Sequence, residues 1–396
     1  AVTGMELFRE PCDLWYIPTP KVAWTPAGEL ACISVDSSNI WDISETTGQL
    51  VGHTDMVRGA RWSPDGTRIA TSSFDGTIRV WDGTTFEELL VIERPGMFVY
   101  NNWSPDGTRI ATGSMQGPVQ VWDATTGELL VEVPGIPGYA STHVGWSADG
   151  SRIAVTTLPG IATRVFDAAT GEILLTIDGP DCMHLDPDWS PVGDYFVGGC
   201  YYTNEGFYLD GRTPARIWDG TSGELLLTLP SKDGWTVKGV WSPDGERLAV
   251  AHVGEAEGSG GTVVVWRILS NSSGHGLTGE ELLTFTGHAS EVGDLVWSPD
   301  GSRIASGDGS GIVKVWDAAS GEDVCAYQVP STVLNLDWSP DGSHLVVAGT
   351  FPTPLVFRVW PSTEELIDHA YDCCVTRQLT AEERVQFGLP PAEEGD

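Results

Sequence analysis

Basic side chains are scarce in this chain. Over 396 residues, 21 Lys and Arg stand against 55 Asp and Glu, and only Lys21, Lys232, Lys238 and Lys314 are lysines; the formal charge is −34. Phosphate backbones and anionic lipid surfaces are bound by neutralising them with Lys and Arg, so nucleic acid and electrostatic membrane attachment are excluded as expected partners. No stretch approaches the ~18–20 uninterrupted apolar residues of a membrane helix, and no membrane insertion is expected. Cysteine is also sparse: seven residues, odd in number and scattered, which is neither a disulfide framework nor a pair of metal-binding CxxC knuckles. Free thiols favour a reducing compartment, so a cytoplasmic location is expected, with export as the alternative. Catalytic signatures are missing as well. There is no GxSxG elbow, HExxH, Walker loop or GxGxxG in a strand–helix setting, so no catalytic residue, metal or cofactor is expected. The first residue is Ala, with no basic segment followed by an apolar run, as in a processed chain or a piece of a longer one.

What the chain has in abundance is Trp (17), Gly (48) and Pro (25), the composition of short strands joined by tight turns. A Trp followed by a turn sequence occurs eight times: WTPAG at Trp24, WSPDG at Trp62 and Trp103, WSADG at Trp146, WSPVG at Trp189, and WSPDG at Trp241, Trp297 and Trp338. Downstream of each lies a β-rich run ending in an aromatic residue, as in IRVWD at Trp81, VQVWD at Trp122 and VKVWD at Trp316. A third apolar run follows most of them, as in residues 126–133 and 222–229. In Ser-Pro-Asp-Gly, Pro presets φ, Asp suits the next position and Gly supplies the positive φ that closes the turn. Each unit is read as a four-stranded antiparallel meander that must pack face to face with its neighbours around an axis.

These repeats resemble the WD-repeat β-propellers, over roughly residues 5–361. The resemblance rests on the repeated Trp-Asp strand ends and on the Gly52-His53 and Gly287-His288 pairs. It implies an all-β fold, an eight-bladed β-propeller of four-stranded antiparallel blades over residues 1–361, followed by a short helical tail over 362–396. It also implies a structural tetrad, which in the second unit falls on His53, Ser72 (or Ser73), Asp75 and Trp81; Gln116 and Ser310 stand where Asp75 does in two other units. After Trp360 no fourth strand follows in the sequence. Residues 4–11 align with 127–134, so residues near 5–9 are expected to close the ring against the segment near 355–360. The tail, CVTRQLTAEERVQFGLP, is similar to the ending of WD-repeat regions at the C-termini of large bacterial signalling proteins.

The resemblance places the turns between first and second and between third and fourth strands on one face, and the remaining connections on the other, where such proteins bind partners. Most of the irregular sequence belongs to that second face. Its richest stretch, 178–214, concentrates His184, Tyr201, Tyr202, Asn204, Phe207, Tyr208 and Arg212. Polar-tipped aromatics beside Arg are the residue types enriched in interface hot spots, so a protein or peptide partner is expected there. Asp186, Asp188, Asp294 and Asp337, just before the first-strand Trp residues, line the expected axis. They form a carboxylate cluster without the spaced ligand loop of a calcium site. The expected function is a non-catalytic interaction scaffold or sensor module of a bacterial regulatory or multi-subunit assembly. The alternatives are a self-standing exported adaptor, or a propeller enzyme of quinoprotein or lactonase type. The quinoprotein docking motif is echoed around Asp167, Thr170 and Gly171, but Leu or Val takes the place of its final Trp.

Overall fold

The computed structural model describes residues 46–93, 98–114, 117–133, 140–158, 162–178, 184–200, 213–232, 234–253, 260–270 and 276–360. It also describes the strands Lys21–Trp24, Leu30–Ile33 and Ile40–Asp42. Among these residues there are 31 strands and no helix. They build a seven-bladed β-propeller, not the eight-bladed one expected. The blades span 57–93, 98–133, 140–178, 184–229, 235–285, 292–328 and 333–358 and are numbered 1 to 7 in that order. The expected helical tail, 362–396, lies outside the described residues.

The miscount has a specific origin at the closure. Blade 7 contributes three strands of its own, and its outer strand is Thr46–Gln49, paired antiparallel through Leu355↔Gln49, Val356↔Gly48 and Phe357↔Thr46. The closing strand is therefore the one that follows Trp41, and residues 5–9, outside the described residues, are not needed for it. Having given that strand to blade 7, the first repeat keeps only Lys21–Trp24, Leu30–Ile33 and Ile40–Asp42. These form an antiparallel set whose last strand pairs in parallel with the outer strand of blade 6, through Cys325↔Ile40 and Ala326↔Trp41. The first copy also lacks side chains that the ring uses: Ala27 stands where others have Asp, and Leu30 where others have Arg.

That Arg is the clasp between neighbouring blades. Arg68, Arg109, Arg152 and Arg247 each lay the guanidinium over the first-strand Trp of the next blade, at 4.9, 4.7, 5.1 and 4.7 Å from Trp103, Trp146, Trp189 and Trp297. Their Nη groups donate to turn carbonyls of that same blade, as Arg68 does to Gly107 O (2.8 Å) and Ala124 O (3.0 Å). Tyr195 and His344 hold the same place against Trp241 and Trp62. A cation over an indole face is worth about 0.5–2 kcal/mol, and the repetition around the ring makes the sum substantial.

At the axis the junctions are of two kinds. In the first, a first-strand indole donates to the previous blade's backbone: Trp103 to Arg61 O (2.9 Å), Trp146 to Asn102 O (3.2 Å), Trp189 to Gly145 O (3.1 Å) and Trp297 to Val240 O (3.1 Å). In the second, an acidic or amide side chain accepts a backbone N–H of the next blade. Asp188 takes Trp241 N (2.7 Å), Asp294 takes Leu336 N (2.7 Å), Asn335 takes Ala60 N (2.9 Å) and Asp337 takes Trp62 N (2.7 Å). The axial acids are thus acceptors that join blades 4 to 5, 6 to 7 and 7 to 1.

Candidate interaction surface

The two faces of the ring differ in how far their polar groups are already satisfied. On the turn face each Ser-Pro-Asp-Gly closes on itself. Ser63 Oγ donates to Asp65 Oδ1 (2.6 Å), Thr67 N donates to the same oxygen (3.0 Å), and Gly66 sits at φ 71° where a Cβ would be strained. The same turn recurs around Asp106, Asp149, Asp244, Asp300 and Asp341. Bonds from Ser147 and Ser151 hold the Asp149 carboxyl down at about 2. A second set of Asp residues, at 82, 123, 167, 219 and 317, accepts the N–H groups of the neighbouring turns.

On the opposite face the first repeat of the ring carries the tetrad, and its members are settled by hydrogen bonding. Trp81 Nε1–H donates to Thr71 Oγ1 (2.8 Å), Thr71 Oγ1 lies 2.8 Å from His53 Nε2, and His53 Nδ1 lies 2.9 Å from Asp75 Oδ2. The hydroxyl is that of Thr71, not Ser72. Along a strand side chains alternate, so Ser72 points the other way and donates to Asn101 Oδ1 of blade 2 (3.1 Å). Blade 6 repeats the chain with Trp316, Ser306, His288 and Asp308, at 3.2, 2.7 and 2.9 Å. Its acid is Asp308 and not Ser310, which instead donates to Asp308 (2.6 Å). Burial lowers the His53 pKa although Asp75 pulls it upward. Burial would raise Asp75, yet bonds from Thr77, Thr54 and His53 outweigh it and hold that carboxyl at about 2. Both His residues are wedges between strands. Elsewhere the tetrad is broken: Phe166 replaces the Trp of blade 3 and leaves the Thr156 hydroxyl without a partner, and Trp266 Nε1 of blade 5 has none either.

A third buried histidine, His252, lies beside the exit of the irregular stretch. Its Nδ1 is 3.1 Å from Ser231 Oγ and 3.2 Å from Thr236 Oγ1. Those hydroxyls donate to Gly234 O (2.9 Å) and Thr213 O (2.7 Å), so the proton on the ring belongs to Nδ1. Burial lowers its pKa to about 4, and the neutral ring is structural packing between blades 4 and 5.

Of the residues expected to bind a partner, His184 opens the first strand of blade 4, opposite Cys200. Tyr201, Tyr202, Asn204, Phe207, Tyr208 and Arg212 fall outside the described residues. Their stretch leaves from the strand Tyr195–Cys200 and returns at Thr213, whose O and Oγ1 accept from Thr236 N (3.3 and 3.0 Å). The axial carboxylates form no cation cage: among the described residues no group of three or more His, Cys, Asp or Glu is placed to hold a metal. The Asp186 side chain lies outside the described ones.

One axial acid carries a pH signature. Burial pushes Asp337 up to about 6, against the pull of Arg61 and of the Trp62 N–H. A carboxyl whose folded value lies above its unfolded value keeps its proton longer in the folded state. The resulting penalty is absent below about pH 4 and complete above about pH 6. Asp337→Asn, whose amide oxygen can still accept from Trp62, should therefore match the parent at pH 4 and exceed it by about 1–2 kcal/mol at pH 7.5. Urea denaturation of both proteins at the two pH values measures this difference, and a gap independent of pH would refute it.

A group not singled out from the sequence lies on the loop-face rim of blades 1 to 3. The Arg58 guanidinium sits 5.5 Å from the Phe74 ring and 6.0 Å from that of Tyr100. Tyr100 in turn stacks on His143 at 4.4 Å and 25°. Three blades contribute to it, so no local motif announces it. The available signal is position: Tyr100 and His143 both stand three residues before a first-strand Trp.

Two segments match the sequence family described as WD domain, G-beta repeat: residues 44–82 and 279–317. The first covers the closing strand Thr46–Gln49 together with three strands of blade 1. WD repeat-containing protein 1 of Bos taurus is 27% identical over 40% of this chain and 33% of its own length. Anaphase-promoting complex subunit cdc20 of Dictyostelium discoideum is 28% identical over 36% of each chain. WD repeat-containing protein AAC3 of the same organism is 25% identical over 69% of this chain and 48% of its own. The chain thus spans a third to a half of the length of these curated relatives.

Proposed function

We propose that this propeller is a non-catalytic protein-interaction platform, the scaffold or sensor part of a regulatory or multi-subunit assembly. The observation that carries this reading is the contrast between the faces. Turn-face polar groups are closed on one another in blade after blade, whereas on the other face the Arg58 guanidinium stands between the Phe74 and Tyr100 rings with its Nε–H lacking an acceptor. Rigid scaffolds present binding residues on such connections. Three of the eight histidines, His53, His252 and His288, are built into strand packing in blades 1, 5 and 6. Similarity to a protein named as a subunit of the anaphase-promoting complex supports the same class, since a complex subunit binds other proteins. A cytoplasmic protein of bacterial signalling type is the finer reading, resting on the tail sequence and the scattered thiols. The test is capture from a lysate of the source organism followed by cross-link mapping, using the parent and a variant with Tyr201, Tyr202 and Tyr208 changed jointly to Ala. Partners cross-linked to the loop face and lost in the variant are expected. Cross-links confined to the turn face, or capture unchanged in the variant, would overturn the surface assignment; absence of any captured protein would overturn the platform.

A further inference from the structure

The loop-face rim of blades 1 to 3 differs from the rest of the rim in what its side chains do. In blades 5, 6 and 7 the residues three before the first-strand Trp are Lys238, Asp294 and Asn335, which are bonded across the blade junctions. In blades 2 and 3 the same position holds Tyr100 and His143, stacked on one another. Beside them stands Arg58, on a β-bulge: Val57 pairs with Ser73 and Gly59 with Ser72, leaving Arg58 as the extra residue. A bulge takes its residue out of the ladder and re-aims the side chain.

Arg58 is poorly satisfied for a guanidinium. Many described basic residues meet a carboxylate, as Arg61 does Asp337, Arg267 does Glu280 and Lys314 does Asp323. Arg58 meets none among the described residues, in a chain with 55 acids. Its Nε–H is shut away from solvent with no acceptor, whereas its terminal nitrogens are not. A buried donor left without an acceptor costs about 1–3 kcal/mol, so an arriving oxygen that draws the guanidinium outward breaks no ion pair and supplies the missing acceptor.

We infer that Arg58, Phe74, Tyr100 and His143 form a subsite for a single carboxylate side chain of a peptide, flanked by an aromatic or apolar residue. The guanidinium edge matches the two oxygens of a carboxylate, and the rings on either side exclude water and hold the fork in plane. The overall charge of −34 restricts the ligand to one or two acidic groups, because a polyacidic segment is repelled by the rest of the molecule. This subsite rests on the platform reading and names part of what its loop face would recognise.

The experiment is selection of a displayed library of random twelve-residue peptides on the full chain, in parallel on the parent, Arg58→Gln and Arg58→Lys. Recovered sequences are resynthesised with the acidic residue replaced by its amide. The parent should enrich Asp or Glu beside an aromatic residue, and both the amide peptide and Arg58→Gln should weaken binding about tenfold or more. Arg58→Lys keeps the charge without the fork and should fall between. Phe74→Ala should weaken the same peptides, and circular dichroism checks that each variant retains the parent's fold. Peptides selected without acidic preference, or bound equally by Arg58→Gln, would overturn the subsite and leave the platform standing. A parent that enriches no peptide at all would overturn both.

Discussion

Removing residues 1–50 should unfold the ring at much lower denaturant than removing residues 1–44. The two truncations differ by the strand Thr46–Gln49 and by Leu50. That strand supplies the outer ladder of blade 7, and Leu50 is fully buried among Trp62, Trp81, Val346, Ala348 and Val356, which belong to blades 1 and 7. Leu50 N also donates to Pro354 O (3.0 Å). Truncating such a leucine to Ala alone costs about 2–5 kcal/mol, and losing the strand with it exposes the edge of blade 7 as well. Leu50→Ala in the full chain should therefore lower stability by that amount. Truncation to residue 51 should exceed it, and truncation to residue 45 should change little beyond uncovering the edge of blade 6. Equal urea midpoints for the two truncations would show that the ring is closed by some other segment. At this junction the first and last strands of the ring meet, so its rupture opens the ring instead of loosening one blade.

The repeat, its turns and its strand order were legible because each is local: a Trp, a Ser-Pro-Asp-Gly and an alternating run of β-branched residues all fall within 20 residues. The blade number was not, since the sequence unit and the blade are out of phase by one strand. Eight first strands can be counted from Trp24 to Trp338, but a ring that begins at Thr46 uses the first unit for its last strand only. That unit has Leu30 and Ala27 where most others have Arg and Asp, but blade 4, within the ring, departs at the same two places with Tyr195 and Val192. The tetrad hydroxyl was misassigned for a similar reason. Thr71 pairs with Arg79 and faces the same side as Trp81, whereas Ser72, one residue on, faces blade 2. A register of one residue decides between them, and sequence spacing does not carry it. Asp308 occupies the strand-end position that Ser73 holds in blade 1, two residues before Ser310, in a turn of the same length. The Arg58 rim is invisible to any motif because it is assembled from three blades and one bulge.

Lys238→Met should be among the most damaging single changes in the ring, at about 3–5 kcal/mol. The ammonium of Lys238 and the carboxylate of Asp294 are bonded at the axis with side chains 7% and 2% exposed, joining blade 5 to blade 6. The other Asp294 oxygen accepts from Leu336 N (2.7 Å) and Asn335 Nδ2 (3.1 Å) of blade 7, so one acid ties three blades. Removing the cation leaves a buried anion with neutral donors only, and the cost is the stranded charge, not the lost attraction. One consequence separates this account from simple loss of packing. The double variant Lys238→Met, Asp294→Asn keeps an oxygen for Leu336 N and carries no charge, so it should recover to within about 1–2 kcal/mol of the parent. A single variant within 1 kcal/mol of the parent at neutral pH would mean that channel water screens the pair as it screens exposed ones. Full loss with no recovery in the double variant would assign the effect to the lysine's apolar stem. The expected pattern makes Asp294 the acid that holds blades 5, 6 and 7 together at the axis.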